Sequence, residues 1–424
     1  MANKHKKAKL FLFTYAYPYG NAESFLVNEI PFIAQAFSEV IVVPEITEGA
    51  PREMPTNFKV LTYERTKVFH LKKSIFAHGI FSIRVWLQSV YRAKEPKERM
   101  FYYRRWKIRL LDLMLELYNA LRLTNLLKEN GLEPNDIIYT YWMLGNARML
   151  SWAKQCNWFN NRLVTRIHGF DFRFEQHPKG FFPYRGVELK GYDCIAAVSD
   201  YARQYILDHY SVNANKLKTY RLGVKHIEVN QDRHLKQDGF VFLSCSYLIP
   251  RKRVHWIHKA ITDCAKLNRQ EKLTWYHIGD GISSEALEKK VEQSSVSNLS
   301  IHLLGGKSNT EIVEFYKRNY IDAFIHCAEG EGGCAVAIQE AFSAGVPLIG
   351  IANGGVIEML NEKNSIALIG NDGVTYKTLQ QCLESFISLS EDKRNEMRLA
   401  AKNSWQKMFS AEDNFKRFIS NELS

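Results

Sequence analysis

The densest run of chemically useful residues is Glu329-Gly330-Glu331-Gly332-Gly333-Cys334-Ala335-Val336-Ala337-Ile338-Gln339-Glu340-Ala341-Phe342-Ser343-Ala344-Gly345-Val346-Pro347. A short apolar strand, Ala323–His326, runs into this glycine-rich loop. The loop opens into a helix that stops at Gly345, with Pro347 behind it. Glycines let the backbone approach a ligand closely. The helix start offers N–H groups without acceptors and the positive end of a dipole, which suit a diphosphate. Gly332, Gly333, Cys334, Ala335 and Val336 are therefore candidate ligand contacts. Glu340 lies about one and a half turns into the helix, where its carboxylate can accept hydrogen bonds from two ribose hydroxyls. Cys334 is given no nucleophilic role, because no histidine motif accompanies it. The plainer alternative is a tight strand-to-helix turn with a solvated glutamate.

A second run, Ser246-Tyr247-Leu248-Ile249-Pro250-Arg251-Lys252-Arg253-Val254, follows the strand Phe240–Cys245. Arg251, Lys252 and Arg253 are candidates for the same diphosphate, since two cations hold it better than one. An exposed basic turn is the alternative. In the first half, Arg166-Ile167-His168-Gly169-Phe170-Asp171 ends a strand and offers His168 as a candidate catalytic group. A structural histidine is the competing reading.

These loops need a scaffold, and the periodicity supplies one. Strands are predicted at Leu10–Thr14, Glu39–Pro44, Asp136–Tyr141, Arg162–Ile167 and Cys194–Val198. A helix is predicted over Glu23–Phe37, with Glu23 and Glu29 on its surface, and another over Leu110–Asn130. Ser199-Asp200 reads as the cap of the next helix. Lys225–Asp238 is charged and unpatterned, as a linker is. A second strand–helix series begins at Phe240 and runs through Leu273–Ile278, Ser300–Leu304, Ala323–His326 and Pro347–Gly350. The last stretch, Glu391–Phe418, is helical with a break around Phe409-Ser410-Ala411. The fold class is α/β: two Rossmann-like doubly wound domains facing a cleft, with ligands at the carboxyl ends of the strands. The expected division is residues 1–225, a linker over 226–238, residues 239–408, and a C-terminal helix over 409–424 that packs back towards the first domain.

The sequence resembles the family-4-type retaining glycosyltransferases of the GT-B fold. Their signature is two glutamates separated by seven residues, followed by a small-residue helix ending in Gly-x-Pro. Glu340 and Ala341-Phe342-Ser343-Ala344-Gly345-Val346-Pro347 match it. Counting back eight positions from Glu340 gives Gly332, while Glu331 is nine back, so the loop is one residue longer here. The resemblance assigns Glu331 to the donor sugar, with Glu329 as a competitor. It assigns Lys252 to the donor diphosphate. The family's early arginine in that loop is replaced by Ser246 and Tyr247, leaving Arg251 or Arg253 to supply the charge. His168-Gly169-Phe170-Asp171 resembles the family's His-Gly-x-Asp segment, whose histidine points at the reacting sugar. Gly20 lies in the loop where the family approaches donor or acceptor. Trp275–Gly281, Asn353-Gly354-Gly355 ahead of Glu358, and Arg221–Val224 resemble further family segments. The resemblance implies transfer from a UDP- or GDP-linked sugar to a glycan or lipid-linked saccharide, with retention of configuration, as in bacterial surface-polysaccharide synthesis. It implies no cofactor and no metal. The departures keep a second class open, a non-catalytic subunit that binds sugar nucleotide or glycan.

Bulk properties bound the rest. The chain has 424 residues, 46% hydrophobic and 24% charged, which suits two globular domains and excludes disorder. Seven scattered cysteines form no C-x-x-C pair and fit a reducing cytosol. No apolar run approaches the ~20 residues of a membrane span, and the run Leu10–Phe13 is too short for a secretory leader. The net charge is +12, and Arg65–Arg109 holds thirteen basic residues against Glu95 and Glu98. Phe69, Phe76, Phe81, Trp86, Tyr91, Phe101, Tyr102, Tyr103 and Trp106 lie among them. Basic and aromatic surface together suit an anionic bilayer, so peripheral placement on the inner face of the cytoplasmic membrane is expected; the plainer alternative is an exposed helical face with some of the aromatics buried. Nucleic acid is not expected, because no recognition motif accompanies the patch. A nicotinamide dehydrogenase is disfavoured, because no G-x-G-x-x-G follows the first strand.

Overall fold

In the computed structural model the chain forms two compact units, residues 1–220 with 416–424, and residues 221–415. The structure describes residues 7–20, 22–67, 71–93, 96–229, 238–370 and 372–424, and only the backbone over 71–78.

The first unit begins with β1 (Lys9–Thr14), α1 (Ile30–Ala36), β2 (Glu39–Pro44) and β3 (Phe58–Val60). Three helices follow, α2 (Leu71–Arg92), α3 (Pro96–Tyr103) and α4 (Trp106–Glu129). Then come β4 (Ile137–Thr140), α5 (Asn146–Gln155), β5 (Arg162–Ile167), α6 (Arg185–Glu188), β6 (Cys194–Ala197), α7 (Asp200–His209) and β7 (Leu217–Thr219). The seven strands among the described residues are all parallel, in the order β3-β2-β1-β4-β5-β6-β7. Leu10 and Leu12 of β1 face one side with α1; Phe11 and Phe13 face the other with α4 and α5. Burial on both faces is why these strands read as unbroken apolar runs. Helices α2 to α4 pack with Trp152, Tyr184 and Val187 into a further core around Val85, Tyr102, Leu113 and Leu117.

The second unit contains β8 (Phe240–Cys245), α8 (Val254–Leu267), β9 (Leu273–Ile278), α9 (Ser284–Glu292), β10 (Leu299–Leu303) and α10 (Asn309–Arg318). It continues with β11 (Ala323–His326), α11 (Val336–Ser343), β12 (Leu348–Ala352), β13 (Ser365–Ile369), α12 (Tyr376–Ile387) and α13 (Glu391–Met408). Its sheet is parallel in the order β10-β9-β8-β11-β12-β13. A last helix, α14 (Ala411–Glu422), begins in the second unit and ends in the first.

Two expectations differ from the structure. The predicted helix over Glu23–Phe37 is a 3-10 turn, Ser24–Asn28, followed by α1. Pro31 is the cause: it has no N–H to continue the preceding turn and sits instead in the first turn of α1. The first domain ends at Tyr220 rather than at residue 225. Val224 exchanges backbone hydrogen bonds with Phe409 and Ala411, and the Ile227 N–H bonds Ser343 Oγ, so this stretch is fastened to the second unit. Most of the expected linker, residues 230–237, lies outside the described residues, as do Phe69, Lys94 and Glu95 and the side chains of Lys72, Lys73 and Phe76.

Candidate functional site

In each sheet the strand order turns back once, between β1 and β4 and between β8 and β11. Open parallel sheets bind ligands outside the carboxyl ends of such a pair. The basic run leaves β8 and the glycine loop leaves β11, so the topology makes them neighbours.

After β8 the chain forms a 3-10 turn, Pro250–Lys252, and Arg253 turns into α8 with φ +51°. Three consecutive cations then grip three consecutive residues of the glycine loop. Arg251 donates to the Gly330 carbonyl at 2.7 Å, and the Glu329 N–H donates to the Arg251 carbonyl at 2.9 Å. Lys252 Nζ pairs with Glu331 Oε1. Arg253 reaches Glu329 at 3.2 Å. The side chains of Lys252 and Glu331 are 16% and 15% exposed, whereas Glu329 is 59% exposed. Glu331 is thus the inward carboxylate and Glu329 the rim one. Burial pushes the Glu331 carboxyl up, but Lys252, with His326 and Arg251, outweighs this and holds it below its ordinary value.

Gly332, Gly333, Cys334 and Ala335 lead into α11, which starts at Val336. The Gly355 N–H bonds the Glu331 carbonyl at 3.0 Å. A Cβ on Gly355 would lie 2.6 Å from the Gly333 carbonyl carbon, so only glycine allows this approach. Cys334 is buried and donates its thiol to the Gly355 carbonyl, which is a packing role. The Gln339 amide donates to the Cys334 carbonyl at 3.0 Å and braces the turn from within α11. The neighbouring loop after β9 is held as tightly. Gly279 has φ +146°, and a Cβ there would stand 1.8 Å from the Ser246 carbonyl oxygen.

Glu340 is buried, and Asn309 Nδ2 donates to its Oε1 at 2.7 Å. Burial raises its pKa to about 7, against the hydrogen bond from Asn309. His326, at the end of β11, is held neutral by burial, its pKa lowered to about 4, with Glu331 opposing and Lys252 assisting. Its Nε2 has no hydrogen-bond partner. Asn309 and His326 were not singled out by sequence; both are lone polar residues at element ends, without a spacing that marks them.

In the first unit, His168 follows β5. Its Nε2 lies 2.9 Å from the Tyr141 carbonyl oxygen, which can only accept, so Nε2 carries the proton and Nδ1 is left as acceptor. Burial lowers the imidazole pKa to about 3, with Arg166 lowering it further and the Tyr141 contact opposing. Asp171 Oδ1 accepts from the N–H groups of His168 and Gly169, both at 2.9 Å, and fixes the turn. Gly20 adopts φ +57°, and its N–H is bonded to the Ala50 carbonyl at 3.1 Å. Ser199 caps α7, accepting from the Ala202 N–H at 2.9 Å.

Glu23 and Glu29 are not on the surface. Glu23 is 6% exposed and Glu29 is fully buried. Glu29 pairs with the equally buried Arg166 at 3.1 Å, and burial raises its pKa despite that cation. A guanidinium buried inside the sheet, as that of Arg166 is, requires a partner such as this, and Glu29 stands at the cap of α1, next to the turn at Pro31. Among the described residues, no group of three or more His, Cys, Asp and Glu stands close enough to hold a metal ion.

Two Rossmann-like parallel-sheet units of this kind make the GT-B fold, the fold of the glycosyltransferases that the chain resembles. Residues 227–404 match the family model "Glycosyl transferases group 1". No curated protein sequence matches the chain. Among solved structures, the chain is similar to a glycosyltransferase from Rickettsia africae ESF-5, with TM-score 0.67, 16% identity and 98% of each chain covered. It is similar to HepE of Anabaena in complex with UDP and glucose, with TM-score 0.64, 16% identity, and 99% of this chain and 100% of that one covered. It is also similar to WaaG, a glycosyltransferase involved in lipopolysaccharide biosynthesis, with TM-score 0.63, 14% identity, and 97% and 99% covered. At these identities the likeness speaks for the fold.

Proposed function

We propose that the chain is a retaining transferase that moves a sugar from a UDP- or GDP-linked donor to a glycan or lipid-linked acceptor in surface-polysaccharide synthesis. The observation that carries this is the grip of Arg251–Arg253 on the glycine loop at the β8/β11 switch point, with a buried Glu340 on the helix that the loop opens. Similarity to HepE, solved with UDP and glucose, and to WaaG of lipopolysaccharide synthesis supports the reading. In this reading the diphosphate lies on Lys252 and on the amides from Gly333 to Val336. These fixed charges meet the negative charge that develops on the leaving oxygen, so no step needs a metal or cofactor. Glu331 holds the donor sugar and Glu340 the ribose. His168 Nδ1 is the acceptor offered to a sugar hydroxyl; the acceptor hydroxyl attacks the anomeric carbon from the face the diphosphate leaves and passes its proton to the leaving phosphate oxygen.

Calorimetric titration of UDP-, GDP- and ADP-sugars tests this. Glu340 must be ionised to accept two ribose hydroxyls, and its pKa is about 7. Donor binding is therefore expected to tighten about tenfold from pH 6 to pH 8, as the carboxyl loses its proton. Glu340→Gln is expected to bind more weakly and without that slope. Binding of none of the three donors at either pH would end the reading.

We also propose that the first unit works on an anionic membrane surface, in the cytoplasm. On α2, Ile80, Ile83, Leu87 and Tyr91 are exposed and recur at helical spacing, with Arg84 and Arg92 beside them. Met100, Tyr103, Trp106 and Ile108 extend the exposed apolar surface among Arg104, Arg105 and Lys107. Tyr102 is buried and takes no part. No helix among the described residues is long and apolar enough to cross a membrane. Sedimentation with phosphatidylglycerol vesicles at low salt is expected to pull the protein down, and Tyr91→Ser with Trp106→Ser to weaken this about tenfold or more. Equal binding to neutral vesicles, or none, counts against the placement.

A further inference from the structure

Glu23 has a burial and a set of partners that the proposed roles do not use. The N–H groups of Tyr15, Ala16 and Tyr17, three in succession after β1, converge on its carboxylate at 2.9, 2.9 and 2.8 Å. Successive amides of this kind form an anion-binding nest. A fourth donor, Trp142 Nε1, reaches Oε1 at 2.8 Å from the loop after β4. No lysine or arginine ion pair involves Glu23 among the described residues. Glu23 also adopts φ +55°, a left-handed conformation that a glutamate keeps only where its surroundings impose it.

The consequences meet at His168. The Trp142 ring centroid is 4.4 Å from that of the imidazole. The turn that Glu23 starts places Phe25 5.4 Å from the same imidazole, and Tyr141 closes a third side at 4.8 Å. Two of the three rings around His168 are thus set by one carboxylate, which ties together the loops after β1 and β4 at the switch point of the first sheet.

From this convergence we infer that Glu23 is a positioning residue: its carboxylate locks Trp142 and Phe25 against His168, fixing the direction of the half-buried imidazole and limiting its contact with water, without itself touching substrate. The inference about the imidazole environment stands on geometry alone; its link to catalysis rests on the proposed function. A glutamine at position 23 presents one acceptor oxygen and an NH2 group to four donors, so the lock cannot close. The charged and titratable groups around the imidazole are Arg166 with its partner Glu29, Tyr141, Asp171 and Glu23. Of these only Glu23 is altered by the test.

The test follows the His168 ring by NMR of histidine-labelled protein, its signal assigned by its loss in His168→Ala. The wild-type imidazole is expected to remain neutral at pH 4, given a pKa of about 3. Glu23→Gln removes a carboxylate, which alone would lower that value, so the expected rise of about one unit or more reports the gain of water. Trp142→Phe, which keeps an aromatic ring but loses the indole N–H and part of the ring's bulk, is expected to do the same and guards against a Glu23 variant that does not fold. In transfer assays both variants are expected to lose about tenfold or more in kcat with donor KM within about twofold. An unchanged His168 titration in Trp142→Phe and in folded Glu23→Gln overturns the inference. An inactive wild type with shifted titrations would instead overturn the proposed function and leave the positioning role standing.

Discussion

Lys252→Ala is expected to lower kcat/KM for sugar transfer by about 100- to 1,000-fold, the loss found when one fixed donor to a developing oxyanion is removed. The size follows from where the cation sits. Lys252 is 16% exposed, held between the loop after β8 and the glycine loop, with its ammonium on Glu331. A charge so placed is poorly screened by water. Removing it withdraws the stabilisation of the departing diphosphate and leaves the Glu331 carboxylate without the cation that holds its pKa down. Arg253→Ala is the internal control. Its partner Glu329 is 59% exposed, and pairs of that kind are worth about 0–1 kcal/mol. Arg253→Ala is therefore expected to cost less than about tenfold. Steady-state kinetics with the donor found by calorimetry compares the two. Equal losses for both variants, or Lys252→Ala above a tenth of wild-type activity, would show that the leaving group is met elsewhere.

Phe418→Ala carries the largest expected stability effect. Phe418 belongs to α14, yet its side chain is fully buried in the first unit's core with Ile419 and Leu423. Its ring lies 5.4 Å from Tyr139 and 5.2 Å from Tyr220, and the Arg166 guanidinium stands over it at 4.2 Å. It is part of the lid over the buried Glu29–Arg166 pair. Truncating such a side chain costs about 3–5 kcal/mol, against a domain stability of about 5–15 kcal/mol. Urea unfolding read by limited proteolysis is expected to show the first unit opening at a much lower urea concentration. A change under about 1 kcal/mol would mean that the helix only rests on the unit.

The same helix makes the first unit sensitive to acid. Glu422 accepts from Lys218 at 2.7 Å and from Tyr220 at 2.6 Å, and pairs with Arg162. Burial raises its pKa, but the hydrogen bonds from Lys218 and Tyr220 outweigh this and hold it below the ordinary 4.5. A carboxyl with a lower pKa folded than unfolded stabilises above its unfolded value, and that contribution fades as pH falls through the folded one. Glu422→Gln is accordingly expected to flatten the loss of first-unit stability below about pH 4.5.

Much of this protein is written locally. Strands such as Phe240–Cys245 and Arg162–Ile167 are legible because a parallel sheet covered on both faces demands unbroken apolar residues. The glycine loop, the basic turn after β8 and the break at Phe409–Ala411 are legible because turn chemistry acts over a few neighbouring residues. The edge strands Phe58–Val60 and Leu217–Thr219 escape, since three residues carry no period. Glu23 and Glu29 are misread because their burial depends on donors and a counter-charge brought from elsewhere: Trp142, and an arginine in β5. The choice between Glu329 and Glu331 is likewise a matter of which one turns inward onto Lys252. The nine C-terminal residues enter the first core through Phe418, Ile419 and Leu423, and Arg162 bonds Glu422 from 260 positions away. Hydrophobic periodicity and turn residues thus define the elements and the loops between them. Which charge is buried, what it faces and which helix completes which core are decided only when distant segments meet, because desolvation and pairing are properties of the assembled neighbourhood and not of any stretch of chain.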